Sequence, residues 1–139
     1  MTNREKKDWL KRYGSLNSEI GSLLRERERW RALLMRITPA YKQGAQGSMD
    51  PHSKDDVYAR ITELTNQIDD AIDRLIDIRA EISAAIDQVP SDRQRVLLRL
   101  RYIEGKHWDD IAELMHYDIA AKKVYALHGH ALLALKIGH

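Results

Sequence analysis

The sequence predicts an all-α protein: a long N-terminal helical hairpin of coiled-coil character, followed by a C-terminal helix-turn-helix domain. Three observations predict it. Apolar residues recur every seven positions through two long stretches, the three prolines (Pro39, Pro51 and Pro90) fall at the joints, and the last third breaks into short amphipathic segments. Sustained heptads specify helices that wrap around a partner, because one narrow stripe is not buried alone.

The first stretch carries Trp9, Leu16, Leu23, Trp30 and Ile37 on one row, with Tyr13, Ile20 and Leu34 four positions on, interrupted by Arg27. Spacings of three and four put both rows on one face of a helix over about residues 4–37. Thr38-Pro39 is expected to end it, since the residue before a proline is pushed out of the helical region. Gly44, Gly47, Ser48 and Pro51 then mark a flexible connection, residues 38–53. The second helix, about 54–89, has Ile61, Ile68, Leu75, Ile82 and Val89 on one row and Val57, Leu64, Ala71, Ile78 and Ala85 on the other. Ser53 with Asp56 forms a capping pair at its start, where Asp55 and Asp56 suit the positive helix end. Pro90 closes it, and Ser91 with Gln94 caps the next helix, so the expected domains are 1–89 and 90–139.

Charge is distributed unevenly along the hairpin. Residues 1–37 hold ten Lys/Arg against five Asp/Glu, and residues 38–89 hold five against ten. A basic helix lying antiparallel to an acidic one is the expected result. Ile72 and Ile86 widen the second apolar face beyond what one partner covers. This points to a homo-oligomer, a dimer joined through Ile61, Leu64, Ile68, Leu75 and Ile82; the alternative is that the stripes form the core of one bundle with the C-terminal domain.

In that domain a first helix is expected to bury Val96, Leu97, Leu100 and Ile103 before a break at Glu104-Gly105. A short helix follows with Trp108, Ile111, Ala112 and Met115 inward, then a turn at His116-Tyr117-Asp118. The last helix turns Val124, Leu127, Ala131, Leu132 and Leu135 inward. Tyr102 and Trp108 are read as core anchors, since small helical domains need large apolar side chains. Two helices crossing over a tight turn present the second one outward, shaped for a DNA major groove, so double-stranded DNA is the expected partner.

This segment resembles region 4 of bacterial sigma factors. The resemblance is carried by Arg93-Gln94-Arg95-Val96-Leu97, Leu100-Arg101-Tyr102, Glu104-Gly105, Trp108-Asp109-Asp110-Ile111-Ala112-Glu113-Leu114, Val124 and Ala131-Leu132. With a long helical half before it, the chain is similar to sigma-like phage and prophage regulators of the late-gene activator type. The resemblance implies a sequence-specific transcription regulator, with RNA polymerase as a further partner. It implies that Arg93 and Arg101 hold phosphates, with His107 at a helix N-terminus. Ala121, Lys122, Lys123, Tyr125 and Ala126 would face the bases. The chain departs from the pattern at His107, where Ser or Thr is usual, and at His116, which replaces the turn glycine. It also has a longer spacing from Asp118 to Val124.

Composition narrows the alternatives. Cysteine is absent, so no disulfide framework or thiolate zinc site is available. The start is charged and no apolar run approaches a membrane span, so a cytoplasmic protein off the membrane is expected. His128 and His130 lie about 200° apart around a helix and do not chelate from one face. No nucleophile–base pair or glycine-rich phosphate loop stands out, so neither a cofactor nor an enzymatic activity is expected. Two competing readings remain: a coiled-coil adaptor that binds proteins without DNA, and a DNA-recognising phage packaging subunit.

Overall fold

Every regular element among the described residues is helical. The computed structural model describes residues 1–42, 53–116 and 121–138. Helix α1, Asn3–Leu10, is capped by Thr2, whose hydroxyl accepts from the Glu5 amide at 3.2 Å. Lys11 interrupts the helix and α2, Arg12–Lys42, resumes directly. The Lys11 amide still donates to the Lys7 carbonyl at 2.9 Å, and the Ser15 amide to the Lys11 carbonyl at 3.0 Å. The interruption is therefore a bend and not a terminus.

α2 does not stop at Thr38-Pro39 as expected but continues to Lys42. Pro39 has no amide hydrogen for the Met35 carbonyl, the usual reason a helix breaks there. Met35 is 74% exposed, so water can serve that carbonyl, while the Thr38 hydroxyl donates to the Leu34 carbonyl at 2.7 Å. The connection bearing Gly44, Gly47, Ser48 and Pro51 lies outside the described residues. Helix α3 spans Lys54–Asp87, with the Ser53 hydroxyl accepting from the Asp56 amide at 3.1 Å. Its last turn tightens, as the Gln88 and Val89 amides bond three residues back to the Ala85 and Ile86 carbonyls.

Helix α4, Asp92–Leu98, begins at the Ser91 cap and passes into a π-helical turn, Arg99–Ile103. There the Glu104 amide reaches the Arg99 carbonyl and the Lys106 amide the Leu100 carbonyl, both at 2.9 Å. Gly105, at φ +70°, ends the turn in a left-handed conformation where a Cβ would be strained. Helix α5 is Trp108–Leu114 and helix α6 is Ala121–Ala134. Between them His116 adopts φ +58°; Tyr117 and Asp118 lie outside the described residues.

Packing groups the chain into two compact units, residues 1–16 with 75–139, and residues 17–74. This grouping differs from the expected division at Pro90. The core of the first unit joins Leu10 of α1 and Ile82, Ile86 and Val89 from the end of α3 to the residues of α4, α5 and α6. Helices of seven residues expose too much surface to enclose a core by themselves, so the ends of longer elements complete it. The inward set on α4 also differs. Val96 is 46% exposed, whereas Leu97, Leu98 and Tyr102 are buried. The wide turn adds a residue to the helical repeat, so that beyond Leu97 and Leu98 it is Tyr102 that falls inward, one place later than a 3.6-residue period from Leu97 predicts.

In the second unit Ile20 of α2 and Val57, Leu64, Ile68 and Ala71 of α3 are buried. Arg60 of α3 pairs with Glu26 of α2 at 2.8 Å and with Glu63 at 3.0 Å. The Arg27 guanidinium donates to the Thr65 hydroxyl at 3.2 Å. The Arg60–Glu26 pair runs opposite to the expected polarity, with the base on the acidic helix and the acid on the basic one. Arg60 also holds the Glu26 carboxyl below its usual pKa. No helix among the described residues is long and apolar enough to cross a membrane.

Candidate nucleic-acid interface

The periodicity of α6 separates two faces. At about 100° per residue, positions 124, 128, 131 and 135 fall on one side and positions 122, 126, 129 and 133 on the other. Val124, His128, Ala131, Leu132 and Leu135 are buried, while Lys122, Lys123, Tyr125, Ala126, His130 and Leu133 are exposed. Ala121 opens the helix; its side chain lies outside the described set. The buried face packs on α1, α4 and α5. The Lys6 ammonium donates to the Leu132 carbonyl at 2.7 Å, placing a cation at the negative end of α6.

His128 is the polar member of that buried face. Its Nε2 lies 2.7 Å from the Tyr102 hydroxyl, and the Trp108 ring meets it edge-on with centroids 4.7 Å apart. Burial pushes the Tyr102 phenol up to about 12. It pulls the His128 imidazole down to about 4, with the positive charges of Lys7, Arg101 and Lys11 adding to the effect. Both groups are therefore neutral at pH 7, and the phenol donates to Nε2 when the ring proton sits on Nδ1. One hint of this is legible beforehand, a histidine at a position whose neighbours at three and four residues are apolar.

Trp108 is half-buried and carries a second contact outward. The Arg101 guanidinium carbon lies over its ring at 4.6 Å, and the Tyr125 ring meets it edge-on at 5.2 Å. Arg101 also donates through Nη1 to the Lys106 carbonyl at 3.0 Å. Arg101 and Tyr125 thus converge on Trp108, a residue read from the sequence as core alone. Lys122 lies one turn before Tyr125 on the same helix, and Lys123 is exposed beside it.

The other expected contacts are placed as follows. Arg93 is exposed in the first turn of α4. Arg95 donates to the Val89 and Pro90 carbonyls and pairs with Asp92, and Arg99 pairs with Asp87. His107 is the exposed N-cap residue of α5, extended at φ −73° and ψ 156°, and makes no side-chain cap bond. Asp109 and Asp110 occupy the first turn of that short helix and oppose an anion there.

The residues expected to join two copies are placed differently. Leu64, Ile68 and Ile82 are at most 2% exposed within a single chain, and Ile61 and Leu75 are half-buried. Three of the five side chains are thus buried already within one chain, while Ile61 and Leu75 keep part of their surface in solvent.

No curated protein and no solved structure matches the chain. A family described as a protein of unknown function, DUF1492, matches residues 39–136, which take in α3 through α6. The match spans well over half of the sequence, so the chain belongs to the DUF1492 family.

Proposed function

We propose that the protein is a sequence-specific DNA-binding regulator of transcription in which α5 and α6 act as a helix-turn-helix and α6 enters the major groove. The observation that carries this reading is the outward face of α6, where Lys122 and the small Ala126 are exposed with Lys123 and Tyr125 on its two flanks while the opposite face is buried. A helix of this kind is held rigidly from behind and offers charge in front. Lysines neutralise phosphates or donate to guanine O6 and N7, and a small side chain lets the helix approach a thymine methyl. The role in transcription, and contact with RNA polymerase, follow from the resemblance to sigma region 4. The α2–α3 segment is read as a hairpin arm from the heptad stripes of its two helices, with Arg60 of α3 paired to Glu26 of α2.

The test is selection of duplexes from a random pool, followed by Lys122→Ala with Lys123→Ala on the selected site. The double variant is expected to bind more weakly, with a plot of log affinity against log salt roughly two units shallower and helicity unchanged. Equal binding by parent and variant at every salt concentration would sink the assignment of this face.

A further inference from the structure

Trp108 joins an exposed side chain of α6 to a buried one. Its ring meets Tyr125 edge-on at 5.2 Å and 66°, and His128 edge-on at 4.7 Å and 63°. His128 is in turn fixed by the Tyr102 hydroxyl at 2.7 Å. The Arg101 guanidinium covers the Trp108 ring and is pinned there by its bond to the Lys106 carbonyl. Tyr125 itself is 50% exposed: one part lies against Trp108 and the rest faces solvent.

From this geometry we infer that Trp108 is a positioning residue for base recognition, holding Tyr125 in one orientation so that its ring and hydroxyl read base edges, with Arg101 as a wall of the stack. The inference rests on the DNA-binding reading above and deepens it. The two lysines need no such support. An ammonium on a flexible four-carbon stem follows a phosphate over a range of positions. Reading a base requires a group held within about half an ångström of its productive place. A phenol suits the task, because it has few rotatable bonds, an apolar edge for a thymine methyl and a hydroxyl that either donates or accepts. An exposed tyrosine with no neighbour would swing between rotamers; the indole edge contact prevents that. The same contact gives Arg101 a structural role: with one donor given to Lys106 and its plane over an indole, the guanidinium is part of the scaffold.

The experiment uses the full chain and the duplex it selects. Affinity is measured for every single base-pair change in that duplex, at several salt concentrations, for the parent, Tyr125→Ala, Trp108→Leu, Trp108→Phe and the double variant Trp108→Leu with Tyr125→Ala. Tyr125→Ala is expected to lose about tenfold in discrimination at one or two adjacent base pairs with the salt slope unchanged, the scale of a good base contact. Trp108→Leu is expected to relax the same base pairs, and the double variant no more than either single one. Should Trp108→Leu lose helicity, Trp108→Phe decides: the smaller ring retracts from Tyr125 and relaxes those base pairs to a lesser degree. Unchanged discrimination in Trp108→Phe then overturns the inference. So does a Trp108→Leu chain that folds but weakens every sequence equally, or a Tyr125→Ala chain that changes the salt slope. A parent that enriches no duplex overturns the DNA reading itself, and the role of Trp108 with it.

Discussion

His128 couples the seating of α6 to proton concentration. In the unfolded chain its imidazole titrates near 6.5, and in the folded chain near 4. Between those values the unfolded state binds more protons, so folding stability is fully present above about pH 6.5 and is lost as pH falls toward 4. Screening at the solvent edge of the ring reduces the effect to about 2 kcal/mol. The parent is expected to melt at a lower temperature at pH 5 than at pH 7, a range in which exposed carboxylates stay ionised. His128→Gln should flatten that part of the profile, and a parent whose melting temperature is constant over the range would contradict the account. The position was legible as a histidine on an α6 apolar stripe, but its partner was not. Tyr102 lies in another element, and the wide π turn that aims it inward has no periodic signature. His116 was more legible: it stands where the resembling family has the turn glycine, and its φ of +58° is the left-handed conformation that glycine adopts most readily.

The helices differ in how well a repeat describes them. Along α3 Val57, Leu64 and Ala71 are buried to within 1%, as the heptad row requires. Farther along that row Ile78 and Ala85 are only half-buried, and Ile82, Ile86 and Val89 turn inward instead. Over α4 the same reasoning turned Val96 inward, and the short helix with its π turn did not keep that phase. The burial of Ile68 changes what a substitution there tests. A carboxylate at a position 2% exposed is left uncompensated in an apolar seam, so Ile68→Asp is expected to destabilise the 17–74 unit by roughly 4 kcal/mol or more. Circular dichroism would show lost helicity at moderate temperature, with the parent unchanged in sedimentation on dilution. A variant that keeps the parent's melting curve but sediments at half its mass would instead place Ile68 at an interface between copies. The seam itself was readable from sequence; which chain fills it was not, since a heptad row looks the same whether its partner is the next helix or a second molecule.

At the scale of the whole chain, the first helix matters to the last. Leu10 is fully buried in the same core as Leu97, Ile111, Val124 and Leu135, and Lys6 reaches the Leu132 carbonyl. Nothing local in the sequence encodes that closure, which joins residues more than eighty positions apart and was hidden by a heptad that assigns α1 to the hairpin. It also lies outside residues 39–136, the region the family match covers. Leu10→Ala leaves a cavity where α1 meets α6, and a buried leucine truncated in this way costs about 2–5 kcal/mol. The loss should appear first as faster amide hydrogen exchange in α6 and α4, because local opening there requires the core that Leu10 completes. The outward lysines of α6 are untouched by the change, so under the proposed function DNA affinity should fall only in proportion to the unfolded fraction and recover on cooling. Exchange in α6 as slow as in the parent would mean that the C-terminal helices hold their core without α1. The face proposed to bind DNA would then depend on residues 75–138 alone.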